Sequence, residues 1–215
     1  MKKKITTVVA LILCAVLLVA GSVAATLAYL TSKTEVVTNT FTVGNVAITL
    51  DEAKVNVNGV PVNNEGTVVE LASAPRVMTN SYKLIPGESY TKDPTVHVAS
   101  GSEASFVFVK VVDGIEAIQD ATTIANQMIA NGWKETATDN VWVYAKDAGE
   151  GTHTLVDASQ SAKDLIVFNN FKVLSNANVG AYTEANIKIE AFAIQAAGDV
   201  DYATALTQAT ATFTI

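Results

Sequence analysis

The chain has 215 residues, with 14 Lys or Arg against 21 Asp or Glu and a formal net charge of −7. An acidic chain has no general affinity for nucleic acid or anionic lipid, which excludes the partners that a basic surface would attract. Its single cysteine is Cys14, so any large core must come from apolar packing rather than from disulfides.

Lys2, Lys3 and Lys4 precede an uncharged apolar stretch that begins at Ile5 and ends in the small-residue run Ser22-Val23-Ala24-Ala25-Thr26-Leu27-Ala28; the next charge is Lys33. A positive start, an apolar middle and small residues at the end form an export signal. Two cut sites fit the small-residue rule, one after Ala25 with Val23 third from the cut, the other after Ala28 with Thr26 there. An uncleaved membrane anchor is the alternative, because about 20 apolar residues span a bilayer. A lipoprotein signal does not fit, since Leu11-Ile12-Leu13 puts no small residue before Cys14. Loss of residues 1–28 leaves 11 basic and 21 acidic residues, a net charge of −10, and no cysteine. The mature chain then has no thiol for catalysis or metal binding, and it is long enough for one single-domain core.

Residues 29–40 are polar and extended in tendency, ahead of the first convincing strand pattern at 41–50. There Val46, Ile48 and Leu50 share one face. Residues 55–62, with Asn58-Gly59 between apolar residues, predict a hairpin closed by a type I′ turn. Residues 56–66 as a whole read as an exposed loop, as do 147–152. Ile85-Pro86-Gly87-Glu88 predicts a type II turn, and 95–98 a strand. Residues 105–112 are nearly all apolar, which predicts the central strand. Asp113 and Glu116 suggest a capping box opening a helix whose stripe is Ile115, Ile118, Ala121, Ala125, Met128 and Ile129, stopped at Gly132. Strands follow at 141–144, 165–168, 171–174 and 187–194. Asp199 or Asp201 caps a weaker second helix through Leu206, and 210–215 form a closing strand or a loose end. Short apolar segments punctuated by turn residues predict a mostly β chain, an antiparallel β-sandwich with one or two short inserted helices.

Chemistry-bearing motifs are scarce. His97 and His153 stand apart, with no H-E-x-x-H helix, and His97 reads as a surface histidine on the polar side of a strand. No nucleophile elbow, phosphate loop or D-x-D-x-D-G calcium loop occurs. Asp199, Asp201 and Glu190 are candidates for a shared carboxylate site. Trp133, Trp142, Tyr144 and Phe168 suggest either sandwich core or an aromatic platform for a wall carbohydrate. The residues alone assign no catalytic, metal or cofactor site, and the expectation is a protein that is not an enzyme and holds no cofactor.

Thr26-Leu27-Ala28-Tyr29-Leu30-Thr31-Ser32, with Asn39-Thr40-Phe41-Thr42-Val43-Gly44-Asn45-Val46 and Ile48-Thr49-Leu50, resembles the start of the TasA and camelysin family of Gram-positive bacteria. The turn at 84–88, Thr91-Lys92-Asp93-Pro94, the strand at 106–111, Phe168-Asn169-Asn170-Phe171-Lys172-Val173 and residues 187–196 are similar in kind to later parts of that family. The resemblance implies a jelly-roll-like sandwich, a dedicated signal peptidase cutting between Ala28 and Tyr29, and a secreted subunit of biofilm-matrix fibres. It divides the chain into a signal peptide (1–28), an N-terminal donor-strand segment (29–40) and a β-sandwich domain (41–215). Subunits would polymerise head to tail by β-augmentation, with Tyr29, Leu30, Val36 and Val37 as donor-strand anchors. The implied partner is a second copy, with an accessory matrix or anchoring protein beside it. No nucleic acid is implied, and the membrane enters only through the signal. Camelysin also implies a surface metallopeptidase as an alternative, to which this sequence brings no zinc-protease motif. A monomeric surface-binding module is the third reading.

Overall fold

Short runs of β-branched and aromatic residues, separated by Gly, Pro and Asn, form eleven antiparallel strands in the described residues of the computed structural model. It describes residues 13–17, 45–120, 123–149, 151–183 and 185–215. The chain divides into two units, Met1–Thr42 and Val43–Ile215. In the first, residues 13–17 are helical. The second holds β1 (Ile48–Ala53), β2 (Arg76–Val77), β3 (Ser89–Thr91), β4 (Thr95–Val98), β5 (Ser102–Asp113), helix α1 (Ile124–Ala130) and β6 (Trp133–Glu135). It continues through β7 (Val141–Tyr144), β8 (Val156–Ala158), β9 (Lys163–Ile166), β10 (Asn170–Lys172), β11 (Ile187–Gln195) and helix α2 (Tyr202–Thr212).

One sheet has the order β2-β1-β4-β9 and a second the order β11-β5-β7-β6, with β8 also paired to β5; β3 and β10 form a separate pair. Val96, Val98 and Leu165 of the first sheet share a core with Val107, Val109, Val111 and Trp142 of the second, an arrangement consistent with a β-sandwich. The opposite face of the second sheet is covered as well. Phe106, Phe108, Val141 and Val143 lie under α2, which presents Ala205 and Ala209 one turn apart. This double coverage explains the unbroken apolar run of β5: odd-numbered residues enter the sandwich core and even-numbered ones meet the helix. A third cluster, Tyr90, Ile115, Ile118, Phe171 and Val173, closes the end built on β3 and β10.

Several local expectations are corrected. Among the described residues the first strand runs over Ile48–Ala53; residues 45–47, expected as strand, are not, and 41–44 lie outside the described residues. The Asn58-Gly59 turn is not type I′, because only Gly59 takes a positive φ (73°). The turn starts at Asn56 instead. Its carbonyl accepts Gly59 N–H at 2.9 Å, and its Oδ1 accepts the N–H groups of Asn58 and Val60 at 3.0 and 3.1 Å. That is a type I turn followed by a left-handed glycine, stabilised by an Asx side chain. The same device recurs at Asn63, whose Oδ1 accepts from Glu65 and Thr67 ahead of Gly66 (φ 83°). Residues 56–66 are therefore two built turns rather than an open loop.

Asp113 caps no helix. Its carboxylate accepts Ile115 N–H and the Gln119 amide, and Gln119 pairs as a bridge with Val173. That long-range pairing holds the chain extended at Gln119, so only a 3₁₀ turn (Glu116–Ile118) forms before α1. Thr123 caps α1 instead. Gly132 (φ 93°) does end that region. The C-terminal helix starts at Asp201, whose side chain accepts Thr204 N–H at 2.8 Å, and it runs to Thr212, not Leu206. Thr207, Thr210 and Thr212 donate back to the fourth carbonyl before each, which satisfies their hydroxyls without strengthening the helix, and residues 213–215 form no strand.

Gly59 and Gly66 make a matched test of this turn geometry. Gly66→Ala meets only the left-handed backbone penalty, about 1–2 kcal/mol, because a Cβ there finds open space. Gly59→Ala should cost about 1–3 kcal/mol more, because its Cβ would lie 2.7 Å from the Tyr90 Cα. Urea unfolding of the two variants measures the difference; equal losses would contradict the close approach.

Candidate functional site

β11 is a nine-residue strand at the edge of the second sheet, paired along its whole length with β5. Its outward groups follow from the register. Ala196 N–H bonds Ala104 O, and Gly114 N–H bonds Asn186 O, each at 2.9 Å. Bonded pairs recur at every second residue in an antiparallel ladder. Even-numbered residues of β11 therefore turn their backbone groups to β5, while Ile187, Ile189, Ala191, Ala193 and Gln195 turn theirs outward. No strand among the described residues pairs along that outer edge. The same residues Ile187, Ile189, Ala191 and Ala193 pack only partly buried against the sandwich core. None of the nine residues of β11 is fully buried.

The edge faces a cleft. Leu50 of β1, Met78, Pro94, Ile187 and Ile189 border a space of about 90 Å³, and Met78 is 77% exposed there. Lys92 and Ile187 also line a larger, adjoining cleft of about 350 Å³ beside Asn80, Tyr82, Phe171 and Tyr182. An unpaired row of strand N–H and C=O groups flanked by half-buried aliphatic side chains is chemically a template for one more strand.

A charged lattice stiffens the neighbouring sheet. On β1, Asp51 and Glu52 point to opposite faces. Asp51 Oδ1 receives Arg76 Nε at 2.6 Å and His97 Nε2 at 2.9 Å, while His97 Nδ1 meets Asp164 at 2.6 Å. Arg76 also grips Asp93 at 2.6 Å, and Asp93 accepts Ala53 N–H at 2.8 Å. Burial pushes the Asp51 carboxyl upward, but Arg76 and His97 together hold it below the ordinary aspartate value. Burial pulls the His97 imidazole down, and Asp164 and Asp51 outweigh that and raise it above 6.5. On the other face Glu52, 4% exposed, receives Lys92 Nζ at 2.5 Å and Asn80 Nδ2 at 3.0 Å.

Ala28, Tyr29, Leu30, Val36 and Val37 lie outside the described residues. His97 is not a free surface histidine; carboxylates on β1 and β9 engage both of its ring nitrogens. His153 lies against the second sheet, where its ring stacks on Tyr202 at 4.9 Å and burial lowers its pKa. Among the described residues no group of three or more His, Cys, Asp or Glu is arranged to hold a metal ion. Asp201 and Glu190 do not meet at a shared site: Asp201 caps α2, and Glu190 accepts the backbone of Thr214 and Ile215 and the Thr214 hydroxyl. Trp133, Trp142 and Phe168 are buried and form no exposed platform; Trp133 donates to Ile166 O at 2.8 Å and meets the Tyr144 ring edge-on. The lattice around Asp51 and Glu52 escaped sequence reasoning. Its only local signals are charged pairs, Asp51-Glu52 and Lys92-Asp93, set in otherwise apolar or β-branched surroundings.

No family model matches this chain, and no curated protein or solved structure matches it. Among the described residues no helix is long and apolar enough to cross a membrane.

The His97 clasp has a defined pH signature. A histidine whose folded pKa is raised stabilises the fold fully below its unfolded value, near 6.5, and that contribution fades as pH rises through the folded value. The stability difference between wild type and His97→Gln should be largest on the acid side of 6.5 and shrink toward alkaline pH. Urea midpoints over a range of about pH 5 to 9 read it. A difference that grows with pH would contradict the charged clasp.

Proposed function

We propose that this protein is a secreted structural subunit of extracellular matrix fibres, polymerising head to tail as residues 29–40 of one copy add as a strand to the next. The observation that carries the reading is the outer edge of β11. It presents outward backbone groups from five residues, with Ile187 and Ile189 beside a cleft that Leu50 and Met78 border. A donor strand satisfies those backbone groups and covers the half-buried aliphatic side chains, while alternate donor residues enter the cleft. Leu30, Val36 and Val37 are the apolar residues available in the donor segment, with Tyr29 at its start. A cut between Ala28 and Tyr29 releases that segment. The absence of any cysteine after residue 28 suits a subunit held by main-chain pairing rather than by disulfides.

Two variants test the pairing from opposite sides. Removing residues 29–38 should leave a folded monomer that forms no filaments. Ala191→Pro removes one outward N–H without touching a bond to β5, so the domain should fold while filament formation is lost. Electron microscopy of concentrated protein beginning at Tyr29, beside circular dichroism of each variant, reads both. Filaments from the truncated protein would sink the donor role of 29–40, and filaments from Ala191→Pro would sink β11 as the acceptor.

A further inference from the structure

We propose that Asn80 and Lys92 become joined by an intramolecular amide bond, with Glu52 carrying the proton. The inference is independent of the fibre reading and rests on one carboxylate that holds both reactants. Glu52 Oε2 lies 2.5 Å from Lys92 Nζ, and Oε1 accepts from Asn80 Nδ2 at 3.0 Å. An amine nucleophile and a carboxamide leaving nitrogen therefore share a single proton carrier. Glu52 and Lys92 are 4% and 8% exposed, and the Lys92 ammonium lies 5.9 Å from the centre of the Tyr82 ring. Glu52 and Lys92 are thus largely shielded from water, while Asn80 is partly exposed on the cleft it shares with Lys92.

The carboxamide is also held in one orientation. Its Oδ1 accepts Val55 N–H at 2.9 Å, which places a backbone donor where negative charge develops on that oxygen. Its Nδ2 is held on the other side by Ala53 O at 2.9 Å. These bonds fix the plane of the amide, so Asn80 turns its Cγ to a defined environment rather than sampling rotamers. Asn80 and Lys92 both line the cleft of about 350 Å³, which opens a route for the product that must leave.

The step balances without any co-reactant. Glu52 Oε2 takes a proton from the Lys92 ammonium. The freed Nζ lone pair attacks Asn80 Cγ, forming the new N–C bond and moving the carbonyl electron pair onto Oδ1, where Val55 N–H holds it. Glu52 then delivers its proton through Oε1 to Nδ2. The Cγ–Nδ2 bond breaks, ammonia departs, and the second proton lost by Nζ leaves with it as ammonium. Glu52 ends as a carboxylate, and nothing is oxidised or reduced. The product ties the segment after β2 to the segment after β3 across the end of β1. In a chain with no cysteine beyond Cys14, that is a covalent restraint of the kind a disulfide would otherwise give.

Mass spectrometry of the purified wild-type protein, denatured and digested with trypsin, decides the matter. The bond predicts a branched peptide in which residues 77–83 are attached to residues 84–110, uncut after Lys92 and lighter than the two peptides summed by one ammonia, about 17 Da. Residues 77–83 recovered free, together with cleavage after Lys92, would overturn the proposal, whatever mass loss occurs elsewhere in the chain. The wild-type digest is decisive even if a variant fails to fold. Glu52→Gln and Asn80→Ala should each abolish the branched peptide completely; a branched peptide that persists in Glu52→Gln would overturn the role given to Glu52.

Discussion

The structure depends on the burial of β5 from both sides. Its inward residues Val107, Val109 and Val111 fill the sandwich, and Phe106 and Phe108 take the weight of α2. A strand covered on two faces fixes the layers that cover it: one sheet opposite, one helix behind. Fully burying each of these side chains contributes about 1.5–3 kcal/mol, and together they outweigh the weak intrinsic preferences of the flanking segments. The threonine-rich α2 is the clearest case. Its four threonines lower its propensity, and Ala205 and Ala209 let it sit close on Phe108 and Val143.

The two edges next to β5 are unequal. On one side β7 and β8 share its length, and β6 extends the sheet. On the other stands β11, with β1 near it but no strand among the described residues hydrogen-bonded to its outer edge, and it is only partly buried. Natural sheets shield long apolar edges with charge, proline or a covering element. β11 has Lys188 and Glu190, but their backbone groups face inward to β5, and its outward positions are aliphatic apart from Gln195. In the proposed fibre, that asymmetry would supply the direction along which copies join.

The charged lattice around β1 works on a different principle. Asp51 faces outward and ties β2, β4 and β9 together through Arg76 and His97. Glu52, the next residue, faces inward and meets Lys92 and Asn80. The pleat of one strand thus separates an exposed, pH-responsive cluster from a buried, water-poor one. Buried ion pairs are costly to desolvate and justify themselves poorly by stability alone. A buried Lys–Glu pair that also holds a carboxamide is therefore better understood as chemistry than as a brace.

The fold class and most strands were legible in local pattern. Alternation and β-branching placed β4, β5, β7 and β11 within a few residues, and Pro86-Gly87 set its turn, because these features act over neighbouring residues. Local expectations failed where another partner, distant or near, took the same groups. Asp113 looked like a helix cap until the bridge between Gln119 and Val173 held the chain extended, and Asn58-Gly59 looked like a two-residue turn until Asn56 took the backbone amides first. The aromatic residues were ambiguous because burial is not written in a side chain. That Glu52, Asn80 and Lys92 meet was not legible there, since residues 28 and 40 positions from Glu52 are brought to one carboxylate by the fold around β1. Proximity across a sheet is set by register, and register belongs to the whole fold rather than to any one segment.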